Sequence, residues 1–305
     1  MDFNFNFDLN LYKTFYTVAK TGSFSKAANE LYVSQPSISY AIKSLEKELD
    51  TQLFYRNSKG ITLTDEAKEL LKYIENSYTL LSIAEKTIKE RKDLSYGTIT
   101  IGVQSHIGQF FLFPYIEKFH SMFPGININV VSRNTAEMLQ FLQANKIDFM
   151  IDTSPIDSIY NNLEIVPLYS LENCFISKKP IRELECKKDV SLKDLESYPM
   201  ILPVERSTPR KQLEETCRKS NIKLNPFMTI ETTEMLVRSV ESDIGIGYVI
   251  KEAVKGKLHN KELYEIQVKD ELPKLQLNLV YVENFLTYTP RKFMELIKKD
   301  YIDKA

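Results

Sequence analysis

Near the start of the chain, up to Leu49, apolar residues recur at helical spacing with polar residues between them. Across residues 23–46 this pattern predicts two short helices joined by a tight turn. Ser23 is placed to cap the first helix, Ala27 and Ala28 let a second helix cross closely, and Leu31 with Val33 closes the turn. Ser34 caps the second helix. Pro36 falls in its first turn, where backbone N–H groups lack intrahelical acceptors, and Ile38, Ile42, Leu45 and Leu49 repeat as a buried stripe. The other face carries Gln35, Ser37, Ser39, Tyr40 and Lys43, polar or basic groups near a helix N-terminus, where a recognition helix meets base edges. Periodicity alone fits any helical hairpin. Residues 53–64 change the picture, because Leu-Phe-Tyr-Arg-Asn-Ser-Lys-Gly-Ile-Thr-Leu-Thr predicts two short strands around an Asn-Ser-Lys-Gly turn. Helix, helix-turn-helix and basic hairpin together make a winged helix-turn-helix, with Arg56 and Lys59 placed to meet phosphates.

From residue 65 to about residue 91 the chain lacks Gly and Pro. Ala67, Ile74, Leu81 and Ile88 stand seven residues apart, with Leu70 and Ala84 between them. This heptad-like seam predicts a long helix whose apolar stripe outlasts what one small winged domain can cover, and hence a helix-to-helix dimer suited to paired half-sites on DNA. After Asp93, Leu-Ser-Tyr-Gly reads as a hinge, and strands begin to alternate with helices. Ile99, Ile101 and Val103 predict a strand, residues 106–122 a helix, 126–131 a strand, 135–144 a helix and 148–151 a strand. That βαβαβ order implies a mostly parallel sheet. A related order recurs over residues 174–250, with strands near 175–176, 200–202, 228–230 and 246–249 and helices from Thr208 and Thr233. Residues 275–282 then read as a strand and 290–301 as a last helix, both returning to the first lobe. The expected fold class is multidomain α/β: a winged helix-turn-helix over residues 1–64, a linker and dimerisation helix over 65–92, one lobe from 93–168 with 271–305, and a second from 169–270.

Ligands of open α/β sheets sit beyond the carboxyl ends of the strands. There a hydroxyl stands just before a helix at Ser105, at Thr135, at Ser207 with Thr208, and at Thr232 with Thr233, and His106 follows the first of these. If the lobes face each other, these groups and several helix N-termini converge on one cleft suited to a carboxylate or another small anion. N-capping explains any one of them; for the set, capping and binding both stand as readings. Gly247, within Gly245-Ile246-Gly247-Tyr248, would let a ligand approach the backbone. The segment is not a dinucleotide fingerprint, because it follows a helix and enters a strand.

Composition refines this reading only slightly. With 305 residues, 43% of them hydrophobic, the chain can fill two or three cores. Forty Lys and Arg against 41 Asp and Glu leave a formal net charge of -1, which does not exclude nucleic acid, since such proteins concentrate positive charge locally. Nothing resembles a signal peptide or a membrane span, so a cytoplasmic location is expected. Cys174, Cys186 and Cys217 are widely spaced and suggest reduced, partly buried thiols; His106, His120 and His259 are equally scattered, and His120 reads as a surface or packing residue. No metal site or cofactor is expected. An enzyme built on the lobes would need a nucleophile–base set, metal cluster or phosphate loop, none of which stands out. A protein that only captures a solute would share the lobes, but the winged segment and the missing signal sequence argue against it.

Residues 9–71 resemble the DNA-binding domain of the LysR-type transcriptional regulators. The family phrase is met at Phe15 to Ala19, Gly22 to Phe24, Ala27, Ala28, Leu31, Ser34 to Pro36, Ser39, Ile42, Leu45 and Glu46, then at Leu53 to Arg56 and Leu63-Thr64. Lys59 stands where the family often has arginine, and Glu66-Ala67 where it usually has Ala-Gly; lysine keeps the charge but not the bidentate geometry. The resemblance implies that the two lobes form a periplasmic-binding-protein-like effector domain with pocket positions at Ser105 and Thr135. It also implies that the linker helix pairs two subunits, and that a homodimer or homotetramer binds double-stranded DNA under control of a small-molecule effector.

Overall fold

The computed structural model describes residues 8–57, 60–92, 95–153, 155, 162–224 and 226–301. Contacts divide the chain into two units, Met1–Lys86 and Thr87–Ala305.

In the first unit, helix α1 (Leu9–Thr21) starts where the Asp8 carboxylate accepts the Asn10 N–H at 2.9 Å. It ends at Gly22, whose left-handed φ of 63° lets its N–H donate to the Val18 carbonyl. Helices α2 (Phe24–Glu30) and α3 (Gln35–Glu48) are capped by Ser23 and Ser34, whose hydroxyls accept the N–H groups of Lys26 and Ser37. Ala27 and Ala28 are buried, as close helix crossing requires, and pack in one core with Phe15, Val18, Ile38, Ile42 and Leu45. A hairpin of β1 (Phe54–Asn57) and β2 (Gly60–Leu63), paired antiparallel from Phe54↔Leu63, adds Leu53 and Phe54 to that core. Leu49 does not continue the buried stripe. It is the C-cap of α3 and stands 37% exposed, because the helix ends there and the chain turns away through Asp50 at φ 47°.

Helix α4 (Asp65–Lys92) runs for 28 residues. Ala67 and Ile74 are buried in the winged core, whereas Leu81 and Ile88 are 57% and 58% exposed and Ala84 is exposed as well. The predicted seam therefore splits into a half consumed by the domain and a half left open.

The second unit contains two five-stranded sheets. The chain runs through β3 (Gly97–Val103), α5 (Ser105–Ile107), a π turn (Gly108–Leu112), α6 (Phe113–Met122), β4 (Ile126–Val131), α7 (Thr135–Gln143), β5 (Phe149–Asp152) and β6 (Glu164–Leu171). It crosses to β7 (Asn173–Ser177), α8 (Arg182–Glu185), a 3-10 turn (Leu192–Ser197), β8 (Met200–Pro203), α9 (Thr208–Lys219), β9 (Pro226–Ile230), α10 (Thr233–Glu241), β10 (Ile246–Ile250), α11 (Lys251–His259) and β11 (Tyr264–Ile266). It then returns through β12 (Leu275–Tyr281), a 3-10 turn (Glu283–Phe285) and α12 (Tyr288–Tyr301).

The sheet orders are β4-β3-β5-β12-β6 and β11-β7-β10-β8-β9, one topology written in opposite directions. In each, four strands run parallel and one, β12 or β7, runs against them. The mostly parallel βαβαβ reading and the return of the last strand and helix to the first lobe both hold. The single helix expected over residues 106–122 does not. A π turn divides it just ahead of Pro114, which has no N–H to continue an α-helical ladder. The first lobe packs α6 and α12 on its sheet around Phe119, Phe149, Phe293 and Ile297. The second has one core under α9 with Leu202, Leu213, Cys217 and Tyr248, and another under α10 with Ile201, Leu236, Val240 and Val249.

Candidate nucleic-acid interface and effector cleft

The first turns of α3 present one polar surface. Ser34, Gln35, Pro36, Ser37 and Lys43 are exposed, Tyr40 is 74% exposed, and Ser39 is half-buried beside Ile38. The Ser34 and Ser37 hydroxyls lie 2.8 Å apart, and the Ser25 hydroxyl donates to the Gln35 amide oxygen at 3.3 Å. These bonds order the side chains while leaving the Gln35 amide N–H pair and the Tyr40 phenol pointing outward from an apolar-backed helix, donors and acceptors of the kind that read base edges. The alternation of buried Ile38 and Ile42 with these residues places them on one face.

The hairpin is seated by groups that sequence reading treated only as family markers. The Glu46 carboxylate accepts the Leu53 N–H at 2.9 Å. The buried Thr64 hydroxyl donates to the Gln52 carbonyl at 2.9 Å and accepts the Ala67 N–H at 3.1 Å, joining the hairpin to the start of α4. The Arg56 side chain and Lys59, expected to meet phosphate, lie outside the described residues. Tyr32, in the turn before α3, was not anticipated: it is 96% exposed and holds a left-handed φ of 55°. Its signal was the turn itself, where one residue must reverse the chain between Leu31 and Ser34.

In the second unit, parallel topology brings the loops at the carboxyl ends of the strands together. In the first lobe the Ser105 and Ser132 hydroxyls lie 3.4 Å apart, and the Thr135 hydroxyl donates to buried Asp152 at 2.7 Å. His106 is half-buried, and the loss of water around its ring pushes its pKa down to about 4, so it is a neutral hydrogen-bonding group at ordinary pH. In the second lobe the Arg206–Glu231 ion pair links the loop carrying Ser207 and Thr208 to the loop carrying Thr232 and Thr233. Thr232 caps α10 by accepting the Met235 N–H at 3.3 Å. Across the lobes, the Gln109 amide donates to Glu234 at 3.2 Å, so the Ser105 loop and the Thr233 loop face each other.

Two features of α9 escaped sequence reading. Ser207, the N-cap of α9, makes no capping bond, and its buried hydroxyl oxygen has no partner. Arg210, three residues into the same helix region, is 4% exposed; its Nε donates to Glu214 at 2.5 Å and its buried Nη1 has no partner. A buried guanidinium in the first turn of a helix is chemistry for an anion. Gly247 has a different explanation. It lies buried in β10 under α10, where a Cβ would stand 2.6 Å from Val240 Cγ2 and 2.8 Å from Leu236 Cδ2, so close helix packing demands glycine. Cys174 and Cys217 are buried and Cys186 is exposed; burial raises the Cys217 thiol to about 11, leaving it protonated. His120 is exposed. Among the described residues no helix is long and apolar enough to cross a membrane.

A helix-turn-helix head with a hairpin wing, a long helix and a pair of α/β lobes whose hydroxyl-bearing loops face each other are the parts of a DNA-binding transcriptional regulator with an effector-binding domain. Residues 9–68 match the family described as bacterial regulatory helix-turn-helix protein, lysR family, and residues 92–301 match the LysR substrate binding domain. The chain belongs to the LysR family. It is 26% identical to the HTH-type transcriptional regulator YofA of Bacillus velezensis over 280 residues, covering 90% of this chain and 92% of that protein. Its fold is shared with HinK, a LysR family transcriptional regulator from Pseudomonas aeruginosa, at a TM-score of 0.59 and 21% identity, over 98% of this chain and all of that one. It is also shared with full-length CbnR in complex with its target DNA, at a TM-score of 0.55 and 16% identity, over 96% and 99% of the two chains.

Proposed function

We propose that this regulator binds paired half-sites in promoter DNA as a homodimer or larger homo-oligomer, and that a small organic anion bound between its lobes alters that binding. Ser34, Gln35, Pro36, Ser37, Ser39, Tyr40 and Lys43 approach or read bases, while Arg56 and Lys59 hold the wing on phosphate. The exposed half of the α4 seam, Leu81, Ala84 and Ile88, pairs with the same face of a second copy. The observation that carries the anion reading is the α9 N-terminus, where the Ser207 hydroxyl and Arg210 Nη1 are both buried without partners. An unsatisfied buried donor costs about 1–3 kcal/mol, which a carboxylate oxygen at that place recovers. Ser105, His106, Thr135, Thr208, Thr232 and Thr233 supply the remaining polar lining.

The mechanism is a population shift: an anion held by both lobes favours the arrangement in which both contact it, and changes DNA binding only through that difference in affinity. Three experiments test the reading. Genomic fragments retained by the purified full-length protein should share an inverted repeat, and footprints should cover half-sites about one helical turn apart; salt-labile retention with no shared sequence would remove the specificity claim. A panel of small mono- and dicarboxylates should contain members that raise the melting temperature of the wild type but not of Ser207→Ala. A panel without effect on a protein that still footprints would remove the anion. Arg56→Ala should weaken binding to all sequences alike and reduce the salt slope by about 1.

A further inference from the structure

The last turn of α4 belongs to the effector unit, and one side chain fastens it there. Glu90 is 2% exposed, although it lies on a helix whose neighbouring residues Lys89 and Arg91 are exposed. Its Oε2 accepts the Thr289 N–H at 2.9 Å, in the first turn of α12. That amide is one of the four at a helix start with no intrahelical acceptor, so the Glu90 carboxylate takes the place of a cap that α12 does not find in its own sequence neighbourhood. Thr287 and Thr289 are both buried, and the Arg91 guanidinium lies 5.7 Å from the centre of the Tyr288 ring.

Helix α12 also packs against the π turn of the first lobe. Its middle packs Phe293 against Phe119 and Phe149, with ring centroids 4.9 Å and 5.8 Å apart. Its last residue, Tyr301, stacks on Tyr169 at 5.0 Å with an interplanar angle of 11°, and lies 5.8 Å from Phe111. Phe111 sits in the π turn, and that same turn carries Gln109, whose amide bonds Glu234 of the other lobe. A π turn is a local irregularity that can shift register with its neighbours, the kind of element able to hold two arrangements. The chain of contacts thus runs from the facing lobes, through the π turn and α12, to the end of the linker helix.

We propose that Glu90 is the positioning residue that makes the end of the linker helix move with α12, so that the arrangement of the lobes is felt by the helix leading to the DNA-binding head. Packing of α12 on the sheet holds the effector unit together without Glu90; the carboxylate adds a fixed joint between α12 and α4. Without that joint the linker helix leaves the effector unit at a variable angle, and the spacing between two DNA-binding heads loses its definition.

This inference rests on the proposed binding of paired half-sites, and the test separates the two. Full-length wild type, Glu90→Ala, Glu90→Asp and Glu90→Gln are titrated onto duplexes carrying the footprinted half-site either once or twice, with the spacer between copies varied one base pair at a time. Wild type should show a sharp spacer optimum. Glu90→Ala, and Glu90→Asp, which keeps the carboxylate but is one methylene short, should flatten the profile by about threefold or more, the coupling expected of side chains in direct contact. Glu90→Gln, which keeps an acceptor oxygen at full reach, should restore the optimum, and affinity for a single half-site should be the same in all four. Hydrogen exchange should show faster exchange of the Thr289 amide in the Ala and Asp variants. Glu90→Asp with the wild-type profile would overturn the inference, as would a fall in single half-site affinity parallel to the loss at every spacer, which marks a folding role alone. A wild type with no spacer optimum would overturn the paired half-site reading and this inference with it.

Discussion

Replacing Gly247 by alanine separates two explanations of a glycine in a binding lobe. The added Cβ would stand 2.6 Å from Val240 Cγ2 and 2.8 Å from Leu236 Cδ2, separations that real Cβ atoms essentially never show. Both neighbours lie on α10 and are buried; Leu236 Cδ2 can turn about χ2, but valine has little freedom at χ1, so the Val240 methyl cannot swing aside without lifting the helix from β10. Overpacking of this kind costs about 1–3 kcal/mol. Alanine recovers about 0.4–1 kcal/mol by restricting the unfolded chain. At the middle of both ranges the net loss is about 1.3 kcal/mol, equivalent to a melting temperature lower by roughly 3–5 °C for a unit of this size. The assay is a thermal melt of the ligand-free full-length protein, repeated with Val240→Ala and with the double variant. Removing the valine methyls makes room, so the double variant should be more stable than the sum of the single effects by about 0.5–3 kcal/mol. If the glycine served instead to admit a ligand to the backbone, the ligand-free melt of Gly247→Ala would match or exceed wild type and no coupling to Val240 would exist; that result would refute the packing argument.

Other expectations follow from single contacts. Glu46→Ala removes the acceptor for the Leu53 N–H, and should speed exchange of that amide, cost about 1–2 kcal/mol and weaken DNA binding irrespective of sequence; an unchanged exchange rate would show that the wing is seated otherwise. Because the folded pKa of His106 is pushed from 6.5 down to about 4, the unfolded chain takes up a proton first as pH falls. That contribution to stability is intact above about pH 6.5 and is lost progressively toward pH 4, so His106→Asn should flatten the stability profile in this window, and an unaltered profile would contradict the burial of the ring. Leu81→Asp and Ile88→Asp place charge on the open half of the seam and should shift the protein toward monomer in sedimentation velocity; retention of the wild-type assembly by both would dismiss pairing through α4.

The elements legible in the sequence were those marked by local chemistry. Ser23 and Ser34 cap helices, Ala27 and Ala28 mark a close crossing, and strand-forming runs such as residues 126–131 stand between turns, so the winged head and the order of strands could be read directly. Strand β6 was missed because Pro167 interrupts it. The structure tolerates that proline because β6 is an edge strand whose pairing with β12 shifts register beside it, between Leu277 and Asn278. The break before α6 had a visible marker in Pro114, but an apolar run on both sides concealed it. Arg210 could not be recognised, since its i,i+4 partner Glu214 makes it look like one half of a surface ion pair; only the tertiary placement of α9 shows that it is buried. Glu90 was hidden for a similar reason, as its partner lies 199 residues away.

The late return of β12 to the first sheet has a consequence for how the protein is made. The second sheet is assembled from one continuous stretch, β7 through β11, and can close as soon as that stretch has left the ribosome. The first sheet cannot: β12 lies between β5 and β6, so until residues 275–281 are synthesised those two strands have no common neighbour and the growing chain carries exposed strand edges. The effector unit should therefore mature in the reverse of its sequence order, second lobe before first. Nascent chains halted before β12 should expose a protease-sensitive first lobe beside a resistant second one, and loss of the C-terminal strand should injure the half of the molecule that was translated earliest.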